Sequence, residues 1–520
     1  MIDGAMQPFA LTLDQFLTHA AKWRPTSEVV TAREGGAIDR VTYADLKVRS
    51  QRISAVLAGL GVGVGDKVAT LAWNSQAHVE AWFAIMGMGA VCHTLNLRLT
   101  AEHLSAMVER SGARIAIVSA DLLGLARQIA ERVPQDLKLL VIDGPAEEGA
   151  EALEPLIVDA PDGYAWGGFD ETAPCGLCFT SGTTGAPKGV TYTHRASFLH
   201  TMRLLQVDSV ALSGADAVLA MVPMFHANAW GLPFAAPAVG VKLVLPGRNA
   251  DGASLARLIR AEGVTVAVGV PTVWLGLLEH LEKTGETVPT LKRILVGGAP
   301  TPPAMMARLE ENLGVTVQTS WGMTELSPVG TLAPLSAPRS PAQSGRVAVG
   351  VDLMVADAEG QPLAEQRNTE GHLHVRGAAV IDRYFGETKP ATNADGWFAT
   401  GDLARIDEAG NLAITGRAKD LIKSGGEWIN PAEIEAIVAA MPEVALAAVI
   451  GRSDPKWGER PMLLVELRDP AVADADLLAS LKGKVANWWI PDRVVRLGSM
   501  PLAGTGKIDK LRLRAQFAAA

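Results

Sequence analysis

The chain has 520 residues, more than one hydrophobic core usually organises, so we expect at least two domains. Hydrophobic residues make up 48% of it and charged residues 20%, a composition that excludes an intrinsically disordered protein. The formal net charge is −9 and no long run of Lys or Arg occurs, which argues against a surface that binds nucleic acid.

Helical and strand patterns alternate along most of the chain. Thr12 and Gln15 form a capping box before a first helix, and Thr42 precedes a second, whose apolar positions recur at helical period until Gly61. Short apolar runs bounded by glycine, at 264–271 and 293–300, are typical of strands buried on both faces. The alternation predicts the α/β class, with helices covering the sheets.

The longest apolar stretch, 217–245, contains three prolines, His226 and Lys242, which a membrane span rarely tolerates together. We therefore expect buried strands and a pocket wall there and no transmembrane segment. The N-terminus also lacks the pattern of a secretory signal.

Cysteine usage indicates a reducing compartment. Cys92, Cys175 and Cys178 are too few for a disulfide framework, so a cytoplasmic location is expected. The Cys175 and Cys178 spacing resembles half of a zinc site, but no further ligands complete it. We interpret both as small apolar residues in a strand.

The C-terminal part has a different pattern. A helix is predicted at 430–441, followed by two strands and another helix near 474–489, which fits a small α+β unit. The polar, glycine-containing stretch 415–430 is the expected junction between the two parts.

One segment, "TSGTTGAPKGV" at 180–190, has the composition of a phosphate-binding loop. Its glycines allow backbone N–H groups to converge on an anion, while hydroxyl side chains and Lys188 add donors and charge. The Walker pattern fails because Lys188 is followed by Gly189 and not by Ser or Thr. "GTGK" at 504–507 and the glycines at 59–66 fail the Walker and dinucleotide patterns as well. A solvated polar loop is the structural alternative, and a non-Walker triphosphate loop is the functional hypothesis.

Four sequence blocks together resemble one family. "TSGTTGAPKGV", "SWGMTELSP" at 320–328, the stretch 396–435 and "PLAGTGKIDK" at 501–510 are similar, in this order, to the adenylate-forming superfamily of acyl-CoA synthetases, adenylation domains and luciferases. "MFHANAWGLP" at 224–233 is similar to the medium- and long-chain fatty acyl-CoA synthetases.

This resemblance implies an α/β fold with a large N-terminal domain of helix-covered β-sheets and a small mobile α+β C-terminal domain. We place the N-terminal domain at 1–416, a hinge containing Lys419 at 417–421 and the C-terminal domain at 422–520. The implied reaction joins a carboxylate to AMP, releasing pyrophosphate, and then transfers the acyl group to CoA, releasing AMP. ATP, Mg²⁺ and CoA are the implied cofactors and co-substrates, and a homodimer is the implied assembly.

The resemblance also assigns roles to residues. The ATP phosphates would be gripped by Thr180, Ser181, Gly182, Thr183, Thr184 and Lys188. The α-phosphate would contact Thr324, and Glu325 would hold Mg²⁺, a hard ion that prefers carboxylate and phosphate oxygens. The adenosine would be bound by Gly298, Ala299, Pro300, Trp321, Gly322, Asp402 and Arg417. Lys507 would be the catalytic cation between the carboxylate and the α-phosphate.

Further residues are expected at the acid and at CoA. His226 and Trp230 are four apart, a spacing that places them on one face if the stretch is helical. The resemblance implies that His226 lines the carboxylate site and that Trp230 gates an acyl tunnel. The tunnel walls would include Val270, Gly297 and Met323. After rotation of the small domain, Ser424, Gly425 and Gly426 would approach the pantetheine of CoA. His372 and His374 fit one strand face and lack a third metal ligand.

The acid itself stays open at this level. A medium-chain fatty acid is our first prediction, followed by long-chain, aryl-alkanoic and methylthio-alkanoic acids. Two other hypotheses are an adenylating enzyme that loads a separate carrier protein and a nucleotide-binding module without catalysis. The presence of Lys507 and Glu325 argues against the second.

Overall fold

A computed structural model describes residues 4–180, 187–336, 339–425, 427–503 and 507–518. Its strands, in chain order, are β1 Glu28–Ala32, β2 Ile38–Thr42, β3 Lys67–Leu71, β4 Val91–Thr94, β5 Ile115–Ser119, β6 Lys138–Ile142, β7 Glu151–Ala152, β8 Pro174–Phe179, β9 Gly189–Thr193, β10 Ala217–Ala220, β11 Lys242–Leu245, β12 Val266–Gly269, β13 Arg293–Val296, β14 Thr316–Gly322, β15 Val329–Leu332, β16 Arg346–Val347, β17 Val351–Ala356, β18 Glu370–Gly377, β19 Phe398–Ile406, β20 Leu412–Arg417, β21 Ile422–Ser424, β22 Glu427–Ile429, β23 Val444–Asp454, β24 Gly458–Leu467 and β25 Arg493–Arg496.

The α-helices are α1 Asp14–Trp23, α2 Tyr43–Gly59, α3 Gln76–Gly87, α4 Ala101–Ser111, α5 Leu123–Ala130, α6 Leu153–Asp159, α7 His194–Leu204, α8 Leu232–Val239, α9 Gly252–Glu262, α10 Pro271–Thr284, α11 Pro303–Leu313, α12 Pro431–Ala439, α13 Asp474–Ala479 and α14 Lys510–Phe517. Within these described ranges, no helix has both the length and the apolarity needed to span a bilayer.

Two large, mainly parallel sheets form the bulk of the molecule. One has the order β16-β15-β14-β13-β12-β10-β11-β1-β2 and the other the order β7-β6-β5-β3-β4-β8-β9. Their central strands are buried on both faces, as β5 and β12 illustrate, because helices pack against both sides. The predicted α/β class with helix-covered sheets is therefore confirmed.

Two smaller sheets follow in the chain. β17 to β20 form a four-stranded antiparallel sheet. β21 to β25 form a five-stranded sheet, which makes up the C-terminal unit together with α12, α13 and α14. That last unit has apolar clusters of its own, centred on side chains such as Ile434, Leu463 and Leu464. A separate core is what a small domain requires. The boundary and hinge at 417–421 stay predictions.

Local sequence features account for several elements. Thr42 accepts a hydrogen bond from the Asp45 N–H and so caps α2, and Gly61 follows the helix with φ +87°. The first capping box differs from its prediction: Gln15 donates to the Thr12 hydroxyl, but α1 begins at Asp14. The helix expected over 474–489 is also much shorter, since α13 ends at Ala479 and Gly483 has φ +74°.

Candidate active site

Three groups of predicted residues lie along one edge of the larger sheet. β12, β13 and β14 are parallel neighbours, and Val270, residues 297–300 and residues 323–325 directly follow their carboxyl ends. Ligands of open α/β sheets bind at this kind of edge. The topology therefore brings together three groups that are 23 or more positions apart in the chain.

The glycine-rich loop connects the antiparallel strands β8 and β9 of the second sheet. The Thr180 N–H donates to the Lys188 carbonyl (2.9 Å), which closes the base of the loop. The Lys188 ammonium lies 4.7 Å from the centre of the Tyr384 ring. Ser181, Gly182, Thr183 and Thr184 lie outside the described residues, and their predicted phosphate contacts stay predictions.

Glu325 is a buried carboxylate in a short turn after β14. Its Oε1 accepts a hydrogen bond from the Tyr384 hydroxyl (2.9 Å), and the neighbouring Thr324 carbonyl accepts one from the Tyr192 hydroxyl (2.9 Å). Burial raises the pKa of Glu325, while the Tyr384 hydrogen bond and the charges of Arg417 and Lys188 act in the opposite direction. An added cation would stabilise the ionised form of this buried group.

Asp402 and Arg417, the residues predicted to bind ribose, form a cross-strand pair. Asp402 on β19 lies opposite Arg417 on β20, and the Arg417 Nε contacts Asp402 Oδ1 at 2.7 Å. The Trp321 Nε1–H donates to Asp402 Oδ2 (2.9 Å). Burial raises the pKa of Asp402, and the Arg417 charge opposes this shift. Each carboxylate oxygen retains a lone pair with which ribose hydroxyls could bond.

Trp321, predicted to stack on adenine, lies beside the same carboxylate. Its side chain is buried, its ring packs against Gly330, and its N–H is committed to Asp402. Nothing in this arrangement tests adenine stacking, which stays a prediction. What the structure adds is that Trp321 orients the carboxylate predicted to bind ribose.

Lys507 reaches this site from the C-terminal part of the chain. A Cβ placed on Gly298 would lie 3.9 Å from Lys507 Cε, 3.8 Å from Trp230 Cζ2 and 3.4 Å from Val270 Cγ1, so the three side chains converge on this glycine. Gly298 has φ +80° and leaves room for them. Burial lowers the pKa of Lys507 to about 8, helped by Arg417 and opposed by Asp402 and Glu325.

The segment expected to be a helical face around His226 and Trp230 has a different backbone. Ala227, Asn228, Ala229, Trp230 and Gly231 all have positive φ, between 45° and 78°, and form a left-handed turn. The condition for a shared right-handed helical face is therefore not met, because the spacing of two residues does not report the handedness of the backbone between them. Gly231 ends the turn against the His200 ring, where an added Cβ would lie 3.0 Å from two ring atoms.

His226 comes just before this turn and belongs to the same corner of the site. Burial lowers its pKa to about 4, with contributions from the positive charges of Lys507 and Arg98. The imidazole is therefore neutral at pH 7 and can act there only through hydrogen bonding.

Behind Trp230 lies a small closed cavity. It has a volume of ≈ 10 Å³, room for about one water molecule. Its walls are apolar apart from one hydroxyl, and comprise Leu204, Val210, Trp230, Leu232, Val268, Leu295, Ser320, Val329 and Leu332. Gly297 also packs against the Trp230 indole, since its Cβ would lie 2.7 Å from Trp230 Cη2. Trp230 therefore contacts both this cavity and the glycine on which Lys507 converges.

The residues predicted to contact CoA do not join this arrangement. Ser424 is buried within the C-terminal sheet, and Gly425, with φ +60°, packs against Trp457. Gly426 lies outside the described residues. Lys419 lies in a short turn at 418–420 between β20 and β21, where its charge acts on both Lys507 and Asp402.

Several contacting residues were missed from the sequence. Tyr384 touches two predicted site residues, Tyr192 supports Thr324, and Ser320 lines the cavity. Tyr384 occurs in "IDRYFGE", which has no spacing or composition that marks a site. Ser320 opens one of the four family blocks, so its place in the chain was the one available hint.

Across the described part of the chain, no group of three or more His, Cys, Asp and Glu side chains is arranged to hold a metal ion. Mg²⁺ is usually held by one or two carboxylates together with substrate phosphates. Glu325 fits that mode, because its carboxylate accepts one hydrogen bond from Tyr384 and has further acceptor sites.

The fold and the converging residues define an adenylate-forming enzyme, and the chain belongs to the AMP-binding enzyme family. The family's main domain matches residues 17–385 and the AMP-binding enzyme C-terminal domain matches residues 433–507. The resemblance seen in the sequence is thus confirmed.

Curated relatives match along nearly the whole chain. A 3-methylmercaptopropionyl-CoA ligase of Ruegeria lacuscaerulensis is 40% identical, covering 99% of this chain and 98% of its own. A medium-chain-fatty-acid–CoA ligase of Ectopseudomonas oleovorans is 39% identical and a long-chain-fatty-acid–CoA ligase of Thermus thermophilus 41%, each covering 99% of this chain and 97% of its own. ATP-bound MatB from Rhodopseudomonas palustris superimposes with a TM-score of 0.87 at 27% identity, covering 98% of this chain and 99% of its own.

Proposed function

We propose that this AMP-forming acid–CoA ligase activates a medium-chain fatty acid. The observation that carries this proposal is that Trp230 packs beside Gly298, as Lys507 does, and also lines an apolar cavity. A carboxylate beside Lys507 would direct its tail toward the cavity. Relatives with comparable identity act on medium-chain, long-chain and methylmercaptopropionic acids, so the acyl tail is the open question.

The first half-reaction must bring two anions together. The carboxylate oxygen attacks the α-phosphorus of ATP, the bond to the bridging oxygen breaks, and pyrophosphate leaves. A fixed cation beside both groups offsets their repulsion and stabilises the charge that develops, which is the role we assign to Lys507. Lys188, Thr180 and the remaining loop residues hold the departing phosphates, and Thr324 contacts the α-phosphate.

Glu325 would hold Mg²⁺ in this site. The bound ion would neutralise phosphate charge and so favour departure of pyrophosphate. Tyr384 donates a hydrogen bond to the Glu325 carboxylate and has its ring beside Lys188.

In the second half-reaction the CoA thiolate attacks the acyl carbonyl and AMP departs. We propose that the small domain rotates about Lys419 between the two steps and brings Ser424, Gly425 and Gly426 to the pantetheine. The burial of Ser424 within the C-terminal sheet supports this proposal, because a buried serine cannot contact pantetheine in this arrangement.

The apolar cavity favours an acid with an uncharged tail. Its volume is too small for an acyl chain while Trp230 stays in place, so binding requires the indole to move. Medium-chain acids can gain apolar burial there at roughly 0.8 kcal/mol per methylene. Ser320 also lines the wall, and its hydroxyl donates to the Val296 carbonyl (3.1 Å).

Pyrophosphate release with ATP, Mg²⁺, CoA and a graded series of acids tests this proposal. We expect kcat/KM to peak among unbranched acids of about six to ten carbons. Each methylene adds apolar burial until the space that opens when the Trp230 indole moves is filled. A maximum for 3-(methylthio)propionate, an aryl-alkanoic acid or a long-chain acid would assign the site to that class.

The acceptor of the acyl group and the oligomeric state of the enzyme need separate measurements. A carrier-loading enzyme would form adenylate and leave CoA unacylated, so chromatography of the CoA product distinguishes it from a ligase. A homodimer, a cytoplasmic location and a role in lipid metabolism are proposed from the family alone. Light scattering at assay concentration would test the dimer.

A further inference from the structure

Tyr384 contacts two residues that belong to different parts of the proposed ATP site. Its hydroxyl donates to Glu325 Oε1 at 2.9 Å, and its ring lies under the Lys188 ammonium at 4.7 Å. One contact is a hydrogen bond to a carboxylate and the other a cation–π contact. A single side chain therefore touches both the carboxylate assigned to the metal and the lysine assigned to the phosphates.

The backbone around Tyr384 is fixed at both ends. On one side the Ile381 N–H donates to the Glu325 carbonyl (2.9 Å), and on the other the Phe385 N–H donates to the Gly189 carbonyl (2.8 Å). A Cβ on Gly189 would lie 2.9 Å from Phe385 Cβ, so these backbones pack closely. The segment 381–385 is thereby attached to the turn of Glu325 and to the strand that follows the phosphate loop.

Arg110 holds the same segment against the base of the loop. Its guanidinium donates from Nη2 to the Phe385 carbonyl (2.9 Å) and from Nη1 to the Pro187 carbonyl (3.2 Å). The residues on each side of Tyr384 are thus fixed relative to Lys188, which immediately follows Pro187. A tyrosine on such a fixed segment can set a distance between two charged groups.

We propose that Tyr384 is a positioning residue that fixes the Glu325 carboxylate relative to the Lys188 ammonium. The metal and the phosphates are thereby bound at a fixed position relative to each other. This inference rests on the roles proposed above for Glu325 and Lys188. Tyr384 does not contact the acid or the reacting carbonyl in this account. Its hydroxyl acts on the metal through Glu325, and its ring acts on the phosphates through Lys188.

Two substitutions separate the two contacts. Tyr384→Phe removes the hydroxyl and keeps the ring under Lys188, whereas Tyr384→Leu removes both. Tyr43→Phe is a matched control, because the Tyr43 hydroxyl also makes a short hydrogen bond, to the Val241 carbonyl at 2.7 Å, in the distant core. Mn²⁺ binding is measured by the loss of its free electron paramagnetic resonance signal, in the presence of α,β-methylene-ATP. Binding of the same nucleotide without metal is measured by calorimetry.

We expect Tyr384→Phe to weaken Mn²⁺ binding about tenfold, the size of a lost hydrogen bond to a charged group, and to leave metal-free nucleotide binding unchanged. Tyr384→Leu should weaken both, and Tyr43→Phe neither. Wild-type Mn²⁺ binding by Tyr384→Phe would overturn the inference, and so would an equal loss in Tyr43→Phe.

Glu325→Gln distinguishes failure of the inference from failure of the proposed metal role. If Glu325→Gln loses Mn²⁺ affinity while Tyr384→Phe retains it, Glu325 holds the metal without help from Tyr384, and only the inference is wrong. If Glu325→Gln binds Mn²⁺ as the wild type does, the proposed role of Glu325 itself is wrong.

Discussion

At the scale of single residues, the site depends on a lysine whose surroundings disfavour its charge. The pKa of Lys507 is lowered to about 8, mainly by burial and also by the charges of Arg417 and Lys419, while Asp402 and Glu325 oppose the shift. A cation that is costly to bury interacts strongly with an incoming anion, because little water screens it. Binding of ATP should therefore favour the protonated form.

This pKa predicts how adenylation depends on pH. Lys507 is protonated below about pH 8 and loses its charge above it, so kcat/KM for ATP should fall about tenfold per pH unit on the alkaline side. His226, with a pKa lowered to about 4, does not titrate between pH 6 and 10. Pyrophosphate-release rates over that range measure the profile.

Lys507→Arg is the control for this profile, because an arginine stays charged throughout. Its absolute rate should be lower, since the guanidinium is larger and planar, but the fall near pH 8 should disappear. An unchanged alkaline fall in Lys507→Arg would assign it to another group.

Glu325 supports a second prediction at this scale. Glu325→Gln preserves the size of the side chain and its hydrogen bond with Tyr384 but removes the negative charge. Adenylation should fall by about two or more orders of magnitude at fixed Mg²⁺, because the phosphates lose an ion held in place. Unfolding temperature should change little. Wild-type rates in Glu325→Gln would remove this residue from the site.

At the scale of elements, the left-handed turn at 227–231 is the most unusual feature of the site. Residues other than glycine lose roughly 1–2 kcal/mol each in this conformation. Four of the five residues in the turn are not glycine. The surrounding core must hold them there, and such strain is found where a segment serves a function.

Ala229→Gly tests the strain directly. Ala229 (φ 46°) and Ala235 in α8 are both fully buried alanines, so their substitution by glycine removes the same methyl group. Ala235→Gly should lower stability by about 1–2 kcal/mol, as glycine does within a helix. Ala229→Gly should be close to neutral, because release of the left-handed penalty offsets the lost methyl. Urea unfolding of both variants measures this, and equal losses would show that the turn is unstrained.

Trp230 belongs to the same turn and predicts a change in selectivity. Trp230→Ala removes the indole that lines the apolar cavity and packs beside Gly298, so longer acids should improve relative to shorter ones. The gain should be about fourfold in kcat/KM for each methylene newly buried, until the enlarged cavity is filled. The acid series described above measures it. A uniform fall across all acids would mean that Trp230 is a structural residue.

Much of the framework of the site was predictable because its determinants are local. Thr42 and the periodic apolar residues of α2 mark that helix, and the glycine-bounded runs before residues 270 and 297 mark two of the strands whose ends form the site. The order of the four family blocks then located Asp402, Glu325 and Lys507 on the chain. Handedness of the 227–231 turn was not predictable, since it depends on how Gly231 packs against His200.

Contacts between distant segments could not be predicted from the sequence either. The bond of Tyr384 to Glu325 joins residues 59 apart, and that of Trp321 to Asp402 joins residues 81 apart. Each depends on how the four-stranded sheet and its neighbouring loops pack on the larger sheets. No pattern within either segment specifies its partner.

At the scale of the whole molecule, the two parts of the chain contribute different chemistry. In our proposal the large part supplies the phosphate loop, Glu325, Asp402 and the acyl-binding residues, and the small part supplies Lys507. Ser424 and Gly425 pack elsewhere in the small part. This arrangement suits adenylation, and our account requires a second arrangement for thioester formation.

Stiffening the proposed hinge should affect one half-reaction more than the other. Lys419→Pro fixes φ at 419 and should retain adenylation while losing thioester formation. Lys419→Ala removes the same charge without the stiffening and should retain both. Loss of both half-reactions in Lys419→Ala would assign a role to the charge and not to the hinge.

The most direct test of the account measures the two half-reactions separately in Lys507→Ala. Acyl-adenylate formation from acid and ATP, and thioester formation from supplied acyl-adenylate and CoA, are both followed by product chromatography. We predict that Lys507→Ala loses adenylate formation by several orders of magnitude and converts supplied acyl-adenylate at close to the wild-type rate. Equal loss of both half-reactions would contradict a lysine that serves one arrangement only, and would place Lys507 in a single fixed site.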